Sequence, residues 1–177
     1  ELKMEYVNIL CQFVRGDLPN EKFEKYICDN QLIESNIGNE LYQSLIKENF
    51  KDRNAVTDIK SVINNFLLNN HPPKCKCCFI RNLDRSGFGS DFSENIFLHL
   101  KKTKDKGKKY WWISLYECNT CHQGWLVAQD ENYDDFYFMR LDSVKIQDIE
   151  SNNWPIIFDN YNSLSTIVST SSRFSDY

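Results

Sequence analysis

Glycine and proline are scarce in this chain, six and four among 177 residues. That scarcity excludes collagen-like repeats and Gly/Pro-rich low-complexity sequence. Long apolar runs are missing too. The richest segments, Ile63 to Leu68 and Tyr110 to Tyr116, fall well short of the roughly 20 residues needed to cross a bilayer, so a soluble protein is expected. There is no H-E-x-x-H, no Ser/His/Asp arrangement and no phosphate-binding Gly-rich loop. Ser86-Gly87-Phe88-Gly89-Ser90 lacks a third glycine and opens no helix after a strand, so it reads as a loop. The three histidines fall in a helix stop (His71), a strand (His99) and a cysteine turn (His122). Nothing here supports catalysis, and a non-enzymatic protein is expected.

What the chain does have is 41% hydrophobic and 14% aromatic residues, enough for one folded domain or two small ones. At this length about 70% of the unfolded surface can be buried, so a sizeable core is available. The net charge of −4 is a sum of unlike parts. Residues 1–70 hold 8 Lys/Arg against 11 Asp/Glu (−3), residues 71–110 hold 10 against 4 (+6), and residues 111–177 hold 3 against 10 (−7). Such asymmetry bears on partners more than on fold.

Residues 1–70 read as a small helical bundle. Leu2, Tyr6, Ile9, Leu10, Phe13 and Val14 share one helical face, and Gly16-Asp17 closes the pattern. Pro19-Asn20 starts a second helix with Phe23, Tyr26 and Ile27 on its apolar side. Residues 39–48 and 54–68 give a third and a fourth, the last stopped by His71-Pro72-Pro73.

After Pro73 the period becomes two. Ile96 to Leu100 and Tyr110 to Glu117 read as strands around a turn, Lys101 to Lys109. Trp125 to Gln129 and Phe136 to Leu141 form a second hairpin around an acidic loop, Asp130 to Asp135. Helices are expected over 144–150 and 161–168, and fraying from Ser169. The fold class is α+β: a helical part, 1–70, then an antiparallel sheet with C-terminal helices, 71–177, in one compact unit.

Seven cysteines are many for such a chain. Cys75/Cys78 and Cys118/Cys121 are C-x-x-C pairs, and two such turns supply the four thiolates of a tetrahedral zinc site, as in a zinc ribbon. A closed set of four cysteines leaves the metal no open position, so the Zn2+ would be structural, holding the helical part to the sheet. Cys77 can stand in for Cys75 or Cys78, and His122 for a cysteine. Cys118 to His122 also matches the C-x-x-C-H haem signature, which leaves the first pair unexplained. A thioredoxin-like pair should open a helix after a parallel strand, whereas Gly124-Trp125 begins a strand. Disulfides fit an odd cysteine count poorly. Cys11 and Cys28 read as small buried hydrophobes.

Three stretches together look familiar: Phe13-Val14-Arg15-Gly16-Asp17 through Phe23-Glu24-Lys25-Tyr26-Ile27; Leu41-Tyr42-Gln43-Ser44-Leu45-Ile46 through Asn54-Ala55-Val56; and Trp125-Leu126-Val127-Ala128-Gln129-Asp130-Glu131 running to Arg140-Leu141. They resemble immunity proteins of bacterial contact-dependent growth inhibition and related polymorphic toxin systems, over most of the chain in pattern. The resemblance implies a cytoplasmic, non-catalytic protein that binds one cognate toxin domain, commonly an RNase, tRNase or DNase. It would form a one-to-one complex and block the active site or substrate cleft. No catalytic residue is carried over.

Nucleases present basic clefts, so an acidic partner surface suits that role. The expected contacts are Asp130, Glu131, Asp134 and Asp135, with Tyr133, Tyr137 and Trp154 as aromatic anchors. The competing reading is a zinc-ribbon nucleic-acid module gripping phosphates with Lys101, Lys102, Lys104, Lys106, Lys108 and Lys109, beside Trp111 and Trp112 for base stacking. A zinc-supported enzyme or redox protein is a third class.

Overall fold

The computed structural model describes residues 2–82, 84–87 and 96–170. They divide into two compact units, Glu1–Arg81 and Asn82–Tyr177. The change of hydrophobic period alone puts a boundary at residue 71, inside one compact unit. The class is α+β, as the periodicities indicate. No helix of the described residues is long and apolar enough to cross a membrane.

The first unit is helical: α1 (Leu2–Val14), α2 (Asn20–Asp29), α3 (Ile33–Ile37), α4 (Asn39–Lys47) and α5 (Arg53–Asn70). The stop after α1 is a Schellman motif, with Gly16 N–H donating to Phe13 O and Asp17 N–H to Gln12 O. Gly16 holds φ +82°, the left-handed conformation this closure needs. At the start of α5 the Asp52 carboxylate accepts from the amides of Asn54 (2.8 Å) and Ala55 (3.2 Å). The core joins Leu10, Phe13, Phe23, Ile27, Leu45, Ile59 and Ile63, with Phe13 stacked on Phe23 at 3.8 Å and Phe50 edge-on to both. The periodicity misses α3, whose five residues are too few to show a period. It is set off from α4 by Gly38 at φ +85°. A 3-10 turn, Lys76–Phe79, packs against α1.

The second unit is a five-stranded antiparallel sheet in the order β1-β5-β4-β3-β2. Its strands are β1 (Asp84–Gly87), β2 (Leu100–Asp105), β3 (Ile113–Cys118), β4 (Gly124–Asp130) and β5 (Asp135–Leu141). Helices α6 (Ser143–Glu150) and α7 (Tyr161–Thr170) follow, with a 3-10 turn at Ile156–Phe158 between them. One face of the sheet presents Ile113, Leu115, Leu126, Ala128, Tyr137, Met139 and Leu141, and packs with Ile149, Phe158 and Leu164 from the C-terminal helices and turn. The other face carries Tyr116, Trp125, Phe136 and Phe138. Phe97 lies against Tyr116, Phe136 and Phe138, and the Arg140 guanidinium sits 4.5 Å over the Trp125 ring. The central strands are therefore covered on both sides.

Three expected features change. The lysine-rich segment is not simply a turn: Lys101 to Asp105 belong to edge strand β2, and the turn proper begins at Lys106. Exposed lysines on an edge discourage pairing with another chain. Ile96 to Leu100, expected as a strand, enters one only at Leu100. Ser86-Gly87, expected in a loop, pairs with Phe136 and Asp135 in β1. Phe88 to Ser90 lie outside the described residues, as does the Ser/Thr-rich end from Ser171.

Candidate metal centre

Cys118 is the last residue of β3, and Gly124 opens β4. The turn between them is tied by backbone bonds from Cys118 N–H to Gln123 O and from His122 N–H to Cys118 O, both 3.0 Å. His122 takes the left-handed conformation, φ +58°. The Thr120 amide donates to the Cys118 sulfur at 3.5 Å. An N–H directed at sulfur would offset part of the charge of a thiolate ligand there. Gly124 leaves room where α6 meets the strand: a Cβ there would come within 2.5 Å of Ile146 Cδ1, and the Ile146 side chain would have to shift.

The first cysteine knot is built differently. Cys75 is extended (φ −154°, ψ 169°) and leads into the 3-10 turn Lys76–Phe79. With about three residues per turn, Cys77 and Cys78 project roughly 120° apart, so a single point in space can receive one of them. Cys77 is the buried one, 3% exposed, and Cys78 is half-buried.

The ligand atoms of Cys75, Cys77, Cys118 and Cys121 lie within 4.8 Å of one another. A tetrahedral metal with sulfurs at about 2.3 Å separates them by roughly 3.8 Å, which this cluster accommodates. Four cysteines thus lie close enough to hold a metal ion. The set differs from the expected Cys75, Cys78, Cys118 and Cys121 at one position, because a 3-10 turn rather than a C-x-x-C knuckle follows Cys75. His122 is outside the group. Its Nδ1 lies 2.6 Å from the Glu117 carboxylate, on an exposed ring.

No family model, curated protein or solved structure matches this chain.

The other expected site residues divide sharply by burial. Glu131 and Asp134 are exposed, and Tyr133 is 47% exposed. Asp130, Asp135 and Tyr137 are not surface residues. Tyr137 lies in the core beneath the C-terminal helices, 1% exposed, and cannot anchor a partner. Asp130 is fully enclosed. Its Oδ1 accepts from the Asn132 amide (2.9 Å) and the Tyr161 hydroxyl (2.8 Å), so this carboxylate shapes the β4–β5 turn. Burial and the adjacent Asp130 charge push the Tyr161 hydroxyl pKa upward. Asp135 is paired in register with Asp130 and is 6% exposed. Trp154 is half-buried against the sheet core, lining an open groove of about 300 Å³ with Lys145, Asp148 and Ile156.

Three of the six lysines are engaged within the unit. Lys104 Nζ donates to the carbonyls of Ile149 (2.9 Å) and Glu150 (2.6 Å) at the end of α6. Lys102 pairs with Asp105 at 3.2 Å, and Lys106 sits 4.5 Å over the Tyr110 ring. Trp112 is buried, whereas Trp111 is half exposed. Of the cysteines read as buried hydrophobes, Cys11 packs against the helical core, but Cys28 is exposed, because it falls on the solvent side of α2.

Proposed function

We propose that this chain is a non-enzymatic binding protein, its fold fixed by a structural zinc ion on Cys75, Cys77, Cys118 and Cys121, that neutralises one cognate toxin domain as an immunity protein. The observation that carries the metal part is the four-sulfur cluster. All-thiolate tetrahedral sets favour zinc among the common divalent ions, and a closed set of four leaves no position for water or substrate. A metal bound there closes the chain between residues 77 and 118, a constraint equivalent to about 4 kcal/mol of unfolded-state entropy by the cross-link relation.

The neutralising role is supported by the resemblance to immunity proteins and by the −7 charge of residues 111–177. Within the acidic loop the exposed groups available to a basic nuclease are Glu131, Tyr133 and Asp134. The toxin is a basic nuclease domain, bound one-to-one in the cytoplasm over its active site or substrate cleft. Engagement of Lys102, Lys104 and Lys106 inside the fold weakens the nucleic-acid reading.

The test is co-purification with the product of a toxin reading frame adjacent to this gene, followed by nuclease assays. Inhibition at a one-to-one ratio is expected. A complex that leaves the nuclease fully active would remove the blocking role. Changing Glu131 and Asp134 to Lys should slow association several-fold at low salt, with the difference vanishing at high salt.

A further inference from the structure

The four ligands of the candidate metal centre differ in access. Cys77 and Cys118 are 3% and 0% exposed and Cys75 is half-buried, whereas Cys121, the most exposed of the four, stands at the surface of the β3–β4 turn. Cys121 also shares that short turn with Cys118, and their sulfurs lie within 4.8 Å. An oxidant arriving from solvent meets one ligand sulfur first, and a second sulfur that can complete a disulfide sits beside it. A disulfide needs the sulfurs at about 2.05 Å. The approach falls to the exposed Cys121 side chain, since Cys118 is held by its strand pairing with Leu100 and the Thr120 amide.

We propose that Cys121 is a peroxide-sensitive site at which oxidation converts Cys118 and Cys121 to a disulfide and discharges the metal. This rests on the zinc reading above. The Cys121 thiolate attacks one peroxide oxygen, the O–O bond breaks, and hydroxide leaves, giving a sulfenic acid; each hydroxide released takes up a proton to become water. The Cys118 thiolate then attacks that sulfur, the S–O bond breaks, and a second hydroxide leaves. The net change is two thiolates, one peroxide and two protons to one disulfide and two waters. The two electrons pass from sulfur to oxygen. The metal loses two anionic donors of its four and dissociates. A reductant and zinc reverse the change.

The geometry also specifies what does not take part. Cys78 lies outside the ligand group, and Cys28, though exposed, belongs to α2 and to no ligand set among the described residues. Reaction at Cys28 is a bystander event that leaves the metal in place.

The experiment uses the full chain carrying Cys28→Ser, loaded with zinc and treated with hydrogen peroxide. A chromogenic chelator follows released zinc, and differential alkylation with peptide mapping locates the oxidised cysteines. Zinc release in step with a Cys118–Cys121 disulfide is expected, and thiol reductant plus zinc should restore the starting state. In the untreated zinc-loaded protein, Cys121 should be the first ligand to react with an alkylating agent. This measurement needs no ligand substitution. Zinc retained under peroxide, or a disulfide within Cys75, Cys77 and Cys78 while Cys118 and Cys121 stay reduced, overturns the proposal. A chain that takes up no zinc before oxidant is added overturns the metal reading itself, a separate result visible at the loading step.

Discussion

Replacing Lys104 by Met tests whether the lysine-rich strand serves the fold or a ligand. Lys104 Nζ donates to two carbonyls, Ile149 O at 2.9 Å and Glu150 O at 2.6 Å, at the C-terminus of α6. Both carbonyls lie at the negative end of the helix dipole, and Ile149 O also accepts the Asn152 amide at 2.9 Å. Methionine keeps much of the aliphatic stem and removes the charge and the donors. A hydrogen bond to a charged group contributes about 1.5–3 kcal/mol, and a cation at a helix end about 0.3–1 kcal/mol at exposed sites. One of the two bonds is exposed and one part-buried. The sum is therefore discounted, and a loss of about 1–2 kcal/mol is expected. All four tryptophans, 111, 112, 125 and 154, lie in the second unit, so urea unfolding followed by tryptophan fluorescence reports that unit alone. Lys109→Met, at an exposed position beyond the strand, is the control, with a change within about 0.5 kcal/mol. Equal midpoints for the two variants would refute the capping argument. So would a loss of nucleic-acid binding by Lys104→Met without any loss of stability.

Three further outcomes follow from the geometry. Cys77→Ser should weaken metal binding more than about 100-fold, beyond the effect of altering an outer-shell group, while Cys78→Ser should leave affinity nearly unchanged. Competition against a calibrated chelator distinguishes them, and the reverse order would restore Cys78 as the ligand. Tyr161→Phe removes one of two donors to the enclosed Asp130 carboxylate, and should cost about 1–3 kcal/mol in the same fluorescence assay. An unchanged midpoint would mean that the carboxylate is satisfied otherwise. Asp105 has its pKa lowered, chiefly by the Ser114 hydroxyl donating at 2.6 Å and further by Lys102. A depressed folded value means that its contribution is present above the ordinary aspartate pKa of about 3.9 and is lost as pH falls through the folded value. Ser114→Ala should therefore flatten the loss of stability below about pH 4, and an unaltered acid profile would discount the pair.

Much of the fold is legible where local chemistry and tertiary packing agree. Gly16 ends α1 because only a left-handed residue closes the Schellman motif. Asp52 starts α5 by capping it, and the apolar segments Trp125–Gln129 and Phe136–Leu141 reappear as β4 and β5, paired as the expected hairpin. The failures are also physical. A helix as short as α3 has too few residues for a period to register, and its place is decided by Ile33 and Ile37 entering the helical core. Lysines depress strand propensity, yet β2 is an edge, where their charge is tolerated and useful. Pairing with the aromatic strand β3 outweighs the local preference for a turn.

The candidate site shows the same division between composition and position. Cysteine spacing identifies two ligand turns, but it cannot say which sulfur of Cys75-Lys76-Cys77-Cys78 faces inward. That depends on whether a knuckle or a 3-10 turn follows Cys75, a backbone choice made by packing of Lys76–Phe79 against α1. The acidic loop is misleading for a related reason. Asp130 and Asp135 read as surface charge because the loop between them is polar, but they stand at the hairpin's base. There Tyr161, 31 residues away in sequence from Asp130, closes over the first of them. A carboxylate enclosed in this way orders the turn that displays Glu131, Tyr133 and Asp134. The charge available for steering a partner is smaller than the count of acids implies, and the surface that carries it is more rigid. Rigidity lowers the ordering cost of association, so if this turn meets the toxin, Tyr161→Phe should weaken binding without touching the interface, mainly through a slower on-rate to a loosened loop.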